Sequence, residues 1–198
     1  HSAHLRHDDR TAVDRHRSGH ASKAIAGLDY AQTMTAHGGT APYTFSIGAG
    51  ALPPGLMLTA AGMLSGTPTE LGDSTFTMTA TDASGITGMR IYTLTVTLPK
   101  PVPASRTLSV AAGGTFTLDL TEGASGGPFT AATLVSLSPA DAGTARILHA
   151  GTAYRLQFTP THAFVGKATA TITLSNASAT SAPTTVVFDV VPRPDPSH

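Results

Sequence analysis

Apolar residues alternate with threonine and serine in several stretches of the first half of the chain. Residues 43–47 read YTFSI, and the same alternation recurs at 76–80 and 92–98. A period of two turns one face of a β-strand toward a core and the other toward solvent, so each stretch predicts a strand. Two short apolar pieces, 56–58 and 63–64, are bounded by glycine and proline, and this pattern predicts a tight hairpin.

The second half contains further strand candidates at short spacing. They are residues 108–110, 116–120, 134–137, 145–147, 154–158, 168–174 and 186–190. Short strands separated by turn residues are typical of a β-sandwich. No window carries a convincing apolar stripe with the 3.6-residue period of a helix, although residues 21–31 have room for a turn or two. The predicted fold class is therefore all-β, with almost no helix.

The stretch PKPVP at 99–103 divides the two groups of strands. Proline cannot donate regular ladder hydrogen bonds and favours extended polyproline geometry, so this stretch predicts a short, stiff linker. The first residues are rich in histidine and arginine and lack apolar periodicity, which predicts a disordered leader. The predicted organisation is a leader (1–24), a first sandwich (25–98), a linker (99–106), a second sandwich (107–192) and a tail (193–198).

The composition excludes several classes of partner and site. The chain has 12 basic and 12 acidic residues, so its formal net charge is zero and no field attracts nucleic acid or an anionic membrane surface. There is no cysteine, which excludes disulfides and thiolate chemistry. No apolar run approaches the roughly 18 residues needed to span a bilayer. We therefore expect stability to depend on apolar burial, with no nucleic acid partner and no membrane span.

Residues 30–96 resemble the putative Ig domain repeats of bacterial surface proteins. The resemblance is carried by four motifs, GGTAPYTFSI at 38–47, LPPGLML at 52–58, GMLSGTP at 62–68 and FTMTATDASG at 76–85. It implies an immunoglobulin-like, cadherin-like β-sandwich. The family name implies no defined ligand, because a fold hosts many functions.

Residues 107–190 resemble the Ig-like repeats in passenger regions of bacterial autotransporters. The stretches that carry this resemblance include YRLQFTP, HAFVGKATATITLSN and SAPTTVVFDV. It implies a second Ig-like sandwich and a location outside the cell, secreted or on the bacterial surface. Modules of this kind are implied to serve as spacers or adhesive stalks.

The first half departs from the family pattern before Tyr30. The family's first strand is an apolar, proline-bearing stretch, and here the histidine- and arginine-rich leader occupies its place. Either that first strand is missing or the leader is foreign sequence. In both cases we expect an incomplete edge in the first sheet, open to pairing with another chain.

Calcium is the main metal hypothesis. Cadherin-like relatives of such sandwiches clamp calcium between modules with several carboxylates, and Glu70, Asp73 and Asp82 are expected in loops of the first module. Calcium takes about six to eight oxygen ligands, however, and three scattered acids supply too few of them. Asp82, in ATDASG, is explained more simply as a turn residue that hydrogen-bonds to nearby backbone. These three acids are the calcium candidates, and no cofactor is predicted.

The sequence lacks the residue patterns of common hydrolases. It has no Gly-x-Ser-x-Gly elbow, and its only glutamates, Glu70 and Glu122, fall one in each half, whereas a glycosidase needs a carboxylate pair. His37, His149 and His162 have no carboxylate close by in sequence, and His198 lies in the predicted tail. The chain is therefore predicted not to be an enzyme.

Two further ligand classes are weighed against simpler explanations. In the leader, His16 and His20 stand four residues apart, a spacing that suits zinc or nickel on a helix, but a dedicated site needs a fixed scaffold. Sugar-binding sandwiches lay exposed aromatic rings against pyranoses, and this chain has no tryptophan. Tyr43 and Tyr154 are the only aromatic residues singled out as candidates for exposure.

The predicted function is a non-catalytic spacer or adhesive module of a bacterial surface or secreted protein. Two alternatives stay open: an accessory carbohydrate-binding segment of a secreted enzyme, and a calcium-dependent adhesin module. The sequence does not identify the partner, whether a host or cell-surface protein or a glycan, or the oligomeric state.

Overall fold

The computed structural model describes residues 12–13 and 23–193, and the chain divides into two compact units between Thr97 and Leu98. Both units consist of β-strands, and the described residues contain one short 3-10 helix, Ala140–Ala142. The all-β prediction is confirmed. The histidines of the leader and His198 lie outside the described residues, as do most of the predicted leader and tail.

The first domain contains two sheets and one short strand pair. Its strands are β1 (Ala12–Val13), β2 (Lys23–Ile25), β3 (Tyr30–Thr33), β4 (Ala36–His37), β5 (Thr44–Gly50), β6 (Leu56–Leu58), β7 (Met63–Gly66), β8 (Gly72–Thr81) and β9 (Thr87–Thr97). One sheet has the order β2-β9-β8-β5, the other has the order β3-β7-β6, and β1 pairs with β4. The residues that alternation turns inward pack into one core around Phe45, Phe76 and Met78.

The leader prediction needs a correction at its end. Lys23–Ile25 form a strand that pairs in parallel with Thr95–Thr97, so this sheet begins two residues before the predicted boundary at residue 25, and the β1–β4 pair places a further short strand inside the predicted leader. The turn or two of helix considered for residues 21–31 does not form in the described part of that stretch, which is strand and turn. A first strand is therefore present ahead of Tyr30, and it is short.

The hairpin of β6 and β7 shows why its motifs need glycine. Gly55 and Gly66 have φ values of +92° and +136°, and a Cβ atom on Gly66 would lie 2.1 Å from the carbonyl oxygen of Gly55. No side chain fits between two backbones at that distance. Pro53 and Pro68 flank this contact and are fully buried. The backbones of the LPPG and SGTP stretches are therefore in direct contact, which explains why each stretch contains a glycine.

The second domain has a complete seven-strand sandwich. Its strands are β10 (Arg106–Ala111), β11 (Phe116–Asp119), β12 (Phe129–Ser138), β13 (Gly143–Ala150), β14 (Ala153–Pro160), β15 (Gly166–Asn176) and β16 (Thr184–Val191). They form the sheets β10-β16-β15-β12 and β11-β14-β13. Phe158 and Phe188 stack at 4.5 Å between the sheets with no exposed surface. Burial of one such ring contributes about 1.5–3 kcal/mol.

The proline-rich stretch does not form a linker separate from the second domain. Pro101 and Pro103 are buried, and Val102 and Ser125 exchange two backbone hydrogen bonds, 2.9 Å and 3.0 Å long. Arg106, the last residue assigned to the linker, begins β10. The proline-rich composition predicted a short, stiff linker, because composition does not show that the extended chain has a surface on which to pack.

Candidate functional site

The three calcium candidates lie apart. Glu70 is exposed in the loop between β7 and β8, but Asp73 lies within β8, where its carboxylate accepts a hydrogen bond from the hydroxyl of Thr95 at 2.6 Å. The expectation that Asp73 lies in a loop is therefore corrected. Asp82 follows the other end of β8, about 30 Å away for nine residues of strand. Asp73 and Asp82 cannot share one ion.

No other metal centre is assembled in the part of the chain that the structure describes. Within residues 12–13 and 23–193, no three histidine, aspartate or glutamate side chains come together in a way that could hold a metal ion. Asp119, at the end of β11, accepts hydrogen bonds from the backbone amide and the hydroxyl of Thr121, and its carboxylate lies 3.9 Å from the guanidinium of Arg155. Its carboxylate therefore serves a local turn in the second domain.

Among the described acids of the first domain, Asp82 accepts the largest number of hydrogen bonds. Its side chain accepts hydrogen bonds from the backbone amides of Thr40, Ser84 and Ile86 at 3.0, 2.8 and 2.9 Å. The bond from Ser84 is the Asx-type turn that the sequence suggests, whereas the bond from Thr40 joins the loop after β4 to the β8–β9 turn. Asp82 thus fixes two loops at one end of the sandwich.

The surroundings of Asp82 favour its charged form. The hydrogen bonds from the backbone amides of Thr40, Ile86 and Ser84 lower the pKa of Asp82, although its burial acts in the opposite direction. In the second domain, the hydroxyl of Thr121 similarly lowers the pKa of Asp119, with a smaller contribution from Arg155. Both shifts stabilise the folded domains at neutral pH, so these two acids are structural groups.

The described histidines are not arranged for general base catalysis. His149 stacks on Tyr154, with ring centroids 4.3 Å apart, and His162 packs against Gly113. Neither histidine forms an ion pair with a carboxylate among the ion pairs found for the described residues. His37, the third described histidine, is exposed at the end of β4.

Both aromatic candidates for sugar binding are partly or fully buried and make contacts within their own domain. Tyr154 is only 7% exposed, because His149 covers its ring, so the expectation of an exposed tyrosine there is corrected. Tyr43 is half-buried, and its hydroxyl donates to the carbonyl of Gly38 within the loop that Asp82 holds. Neither ring offers the open face that a pyranose needs.

Asn176, at the end of β15, is 6% exposed, and its structural role was not predicted from the sequence. Its amide nitrogen donates to the carbonyls of Pro99 and Gly126, both at 2.7 Å, and its amide oxygen accepts from the amides of Ser178 and Ala179, both at 2.8 Å. The side chain thus ties the proline-rich stretch to two turns of the second domain. The signal available in the sequence was Asn-Ala-Ser after a long strand, a pattern typical of an Asx turn.

Family comparisons agree with this arrangement of two sandwiches. Residues 21–97 match the family described as Putative Ig domain, and residues 99–189 match the family described as Bacterial Ig domain. The chain is a tandem of two Ig-like domains. Ig-like families are generally structural or adhesive and non-catalytic. No curated protein matches the tandem in sequence.

Several solved structures resemble the Ig-like tandem at low identity. Domains 4 and 5 of the S-layer protein SbsC are 17% identical, with 92% of this chain and 96% of that chain covered and a TM-score of 0.39. Titin domains Z1Z2 in complex with telethonin are 15% identical, with 88% and 93% covered and a TM-score of 0.38. At these scores, neither likeness indicates a function for the tandem.

An endo-fucoidan hydrolase of glycoside hydrolase family 107, MfFcnA4, also resembles the tandem. It is 21% identical over 87% of this chain, with a TM-score of 0.35, and the tandem spans 27% of the length of the hydrolase chain. The activity of that protein therefore says nothing about these two domains.

The described residues of the tandem include no helix long and apolar enough to cross a bilayer.

Met89 and Ile91, two residues apart on β9, are an exposed apolar pair on a sheet face of the first domain. Their side chains are 69% and 66% exposed, and they lie opposite Thr79 and Thr77 of β8. Other large apolar side chains of the described residues, Met57 and Val102 among them, are exposed as well.

Proposed function

We propose that this chain is a non-catalytic spacer in a secreted or surface-displayed bacterial protein, where it holds a neighbouring region away from its point of attachment. The tandem of Ig-like domains supports a structural role, and the dispersed acids and occupied histidines give no support to catalysis.

The observation that carries this proposal is the way the chain passes from one domain to the next. The carbonyl of Thr97 accepts a hydrogen bond from the amide of Ala26 within the first domain, at 2.9 Å. The amide of the next residue, Leu98, donates to the hydroxyl of Ser178 within the second domain, at 2.9 Å. The residues on both sides of the boundary are therefore hydrogen-bonded, each within its own domain.

Packing after Leu98 supports the same conclusion. Asn176 binds the carbonyl of Pro99, Pro101 is fully buried, and Val102 bridges to Ser125. A flexible tether would have exposed, unpaired backbone in this stretch. A spacer needs an ordered backbone in this stretch, because a flexible one would not fix the position of the region that it displays.

The proposal predicts that residues 97–103 are as ordered on the picosecond-to-nanosecond timescale as the strands. In ¹⁵N relaxation of the full chain, we expect order parameters near 0.85 for the amides of Leu98, Lys100 and Val102. The surrounding strands supply the internal reference. Values below about 0.6 at these three amides would identify a mobile tether and would contradict a spacer role that depends on a firm connection.

A further inference from the structure

In each domain, a strand near the start of the domain pairs in parallel with its last strand. In the first domain, β2 pairs in parallel with the last strand, β9. In the second domain, β10 pairs in parallel with the last strand, β16. The two ends of each domain are therefore held together directly, through adjacent parallel strands.

This arrangement determines how a pulling force acts. Tension along the chain draws the entering strand backward and the leaving strand forward, so the two strands slide past each other. Ladder hydrogen bonds run across the strands, and sliding therefore loads all of them together, whereas peeling an antiparallel hairpin loads them one at a time. The number of residue pairs in the terminal ladder then governs the resistance of a domain.

The two terminal ladders differ in length. The β2–β9 ladder has three residue pairs, from Lys23 with Thr95 to Ile25 with Thr97. The β10–β16 ladder has six, from Arg106 with Val186 to Ala111 with Val191. Upstream of β2, the strand β1 adds only two pairs with β4, and these are antiparallel.

The second domain also holds the chain ahead of its ladder. Tension transmitted to Leu98 acts first on its hydrogen bond to Ser178. It then acts on the hydrogen bond from Asn176 to Pro99 and on the two hydrogen bonds between Val102 and Ser125. All of these contacts lie within the second domain, so they add to the resistance of its six-pair ladder.

We propose that the tandem is a load-bearing element with two thresholds, in which the first domain unfolds at lower tension and lengthens the chain while the second domain stays folded. This inference rests on the proposed spacer function and adds a response to force. The first domain would absorb a pull on the displayed region and protect the connection beyond it.

Single-molecule stretching of the full chain tests the inference. Because the sequence has no cysteine, one cysteine added at each end gives unique attachment points. Released residues 23–97 extend to about 260 Å and released residues 98–191 to about 330 Å, at about 3.5 Å per residue, so the length of a step identifies the domain. We expect the shorter step first and at lower force. A longer step that comes first, or two steps at equal force, would overturn the proposal.

A pair of proline variants tests the role of the β10–β16 ladder. The amide of Ala112 donates to the carbonyl of Val191, and alternation along the strand directs the amide of Val110 to β16 and that of Ser109 away from it. Val110→Pro removes a ladder donor, and Ser109→Pro, at an exposed position on an edge strand, does not. We expect Val110→Pro to lower the force of the longer step and Ser109→Pro to leave it unchanged.

The outcomes separate this inference from the spacer function. Equal effects of the two prolines on the longer step would show that the ladder does not set its resistance. If Val110→Pro fails to fold, which a thermal melt reveals, the order of steps in the wild-type chain decides alone. A failed order of unfolding together with high order parameters at residues 98–102 would leave the spacer role standing and remove only the load-bearing role.

Discussion

Replacing Asn176 with aspartate is expected to destabilise the second domain by about 3 kcal/mol, although the two side chains have nearly the same shape. The amide nitrogen of Asn176 faces two carbonyl oxygens, those of Pro99 and Gly126, both at 2.7 Å. In Asn176→Asp an acceptor oxygen takes the place of that donor, so two hydrogen bonds become two repulsive contacts in a buried site. For a domain of this size the melting temperature should fall by roughly 12–24 °C.

The comparison with Ala177→Asp isolates this cause. Ala177 is the exposed neighbour of Asn176, so that variant adds the same charge to the same turn without placing it against the two carbonyls. We expect its melting temperature to stay close to that of the wild type. The defect of Asn176→Asp should also lessen as the pH falls toward about 4, because burial and the two carbonyls raise the pKa of the new carboxyl, which can donate one hydrogen bond again once it is protonated. Equal melting temperatures for Asn176→Asp and the wild type would refute the anchoring role.

The reverse replacement, Asp82→Asn, is expected to destabilise the first domain for the opposite reason. All three partners of the Asp82 side chain are backbone N–H donors, from Thr40, Ser84 and Ile86. An amide group brings two N–H donors of its own, so at least one of the three amides loses its acceptor. The melting temperature of the first domain should fall by several degrees, read from tyrosine near-ultraviolet circular dichroism or from resolved amide signals.

Acid should affect the wild type and Asp82→Asn differently. Because the backbone amides lower the pKa of Asp82, its contribution to stability is complete above the unfolded-state pKa, near 4, and is lost as the pH falls through the lower folded-state value. The gap between the two proteins should therefore narrow as the pH falls below about 4. Asp73→Asn is the matched control, since that carboxylate is exposed and accepts a single bond from Thr95. A gap that does not change with pH would contradict the role assigned to the charge.

Most of the strands follow from the sequence because burial has a period of two. Threonine alternates with Phe76, Met78 and Ala80, and the structure buries all three apolar side chains. The turn at Asp82 was also predictable, because an aspartate before Ala-Ser-Gly satisfies a nearby amide with its own side chain. Local chemistry suffices wherever the partner lies a few residues away.

The features that the sequence did not reveal depend on partners distant along the chain. Asn176 meets Pro99 from 77 residues away, and Thr40 meets Asp82 from 42 residues away. The same limitation explains the proline-rich stretch, whose burial comes from the surface that the second domain provides. Tyr154 is different, because it is in phase with the buried Leu156 and Phe158 of β14 and the alternation already places it on the inward face. Periodicity describes one strand at a time and does not include such neighbours.

The stretch between the two sandwiches belongs to the second domain, and the most direct test compares the thermal unfolding of residues 98–198 with that of residues 106–198. Loss of residues 98–105 removes the buried Pro101 and Pro103 and the Val102–Ser125 bonds, and it deprives Asn176 of one acceptor. We expect the shorter fragment to fold but to melt about 10 °C lower or more. Equal melting temperatures would show that residues 98–105 are a linker and would contradict their assignment to the second domain.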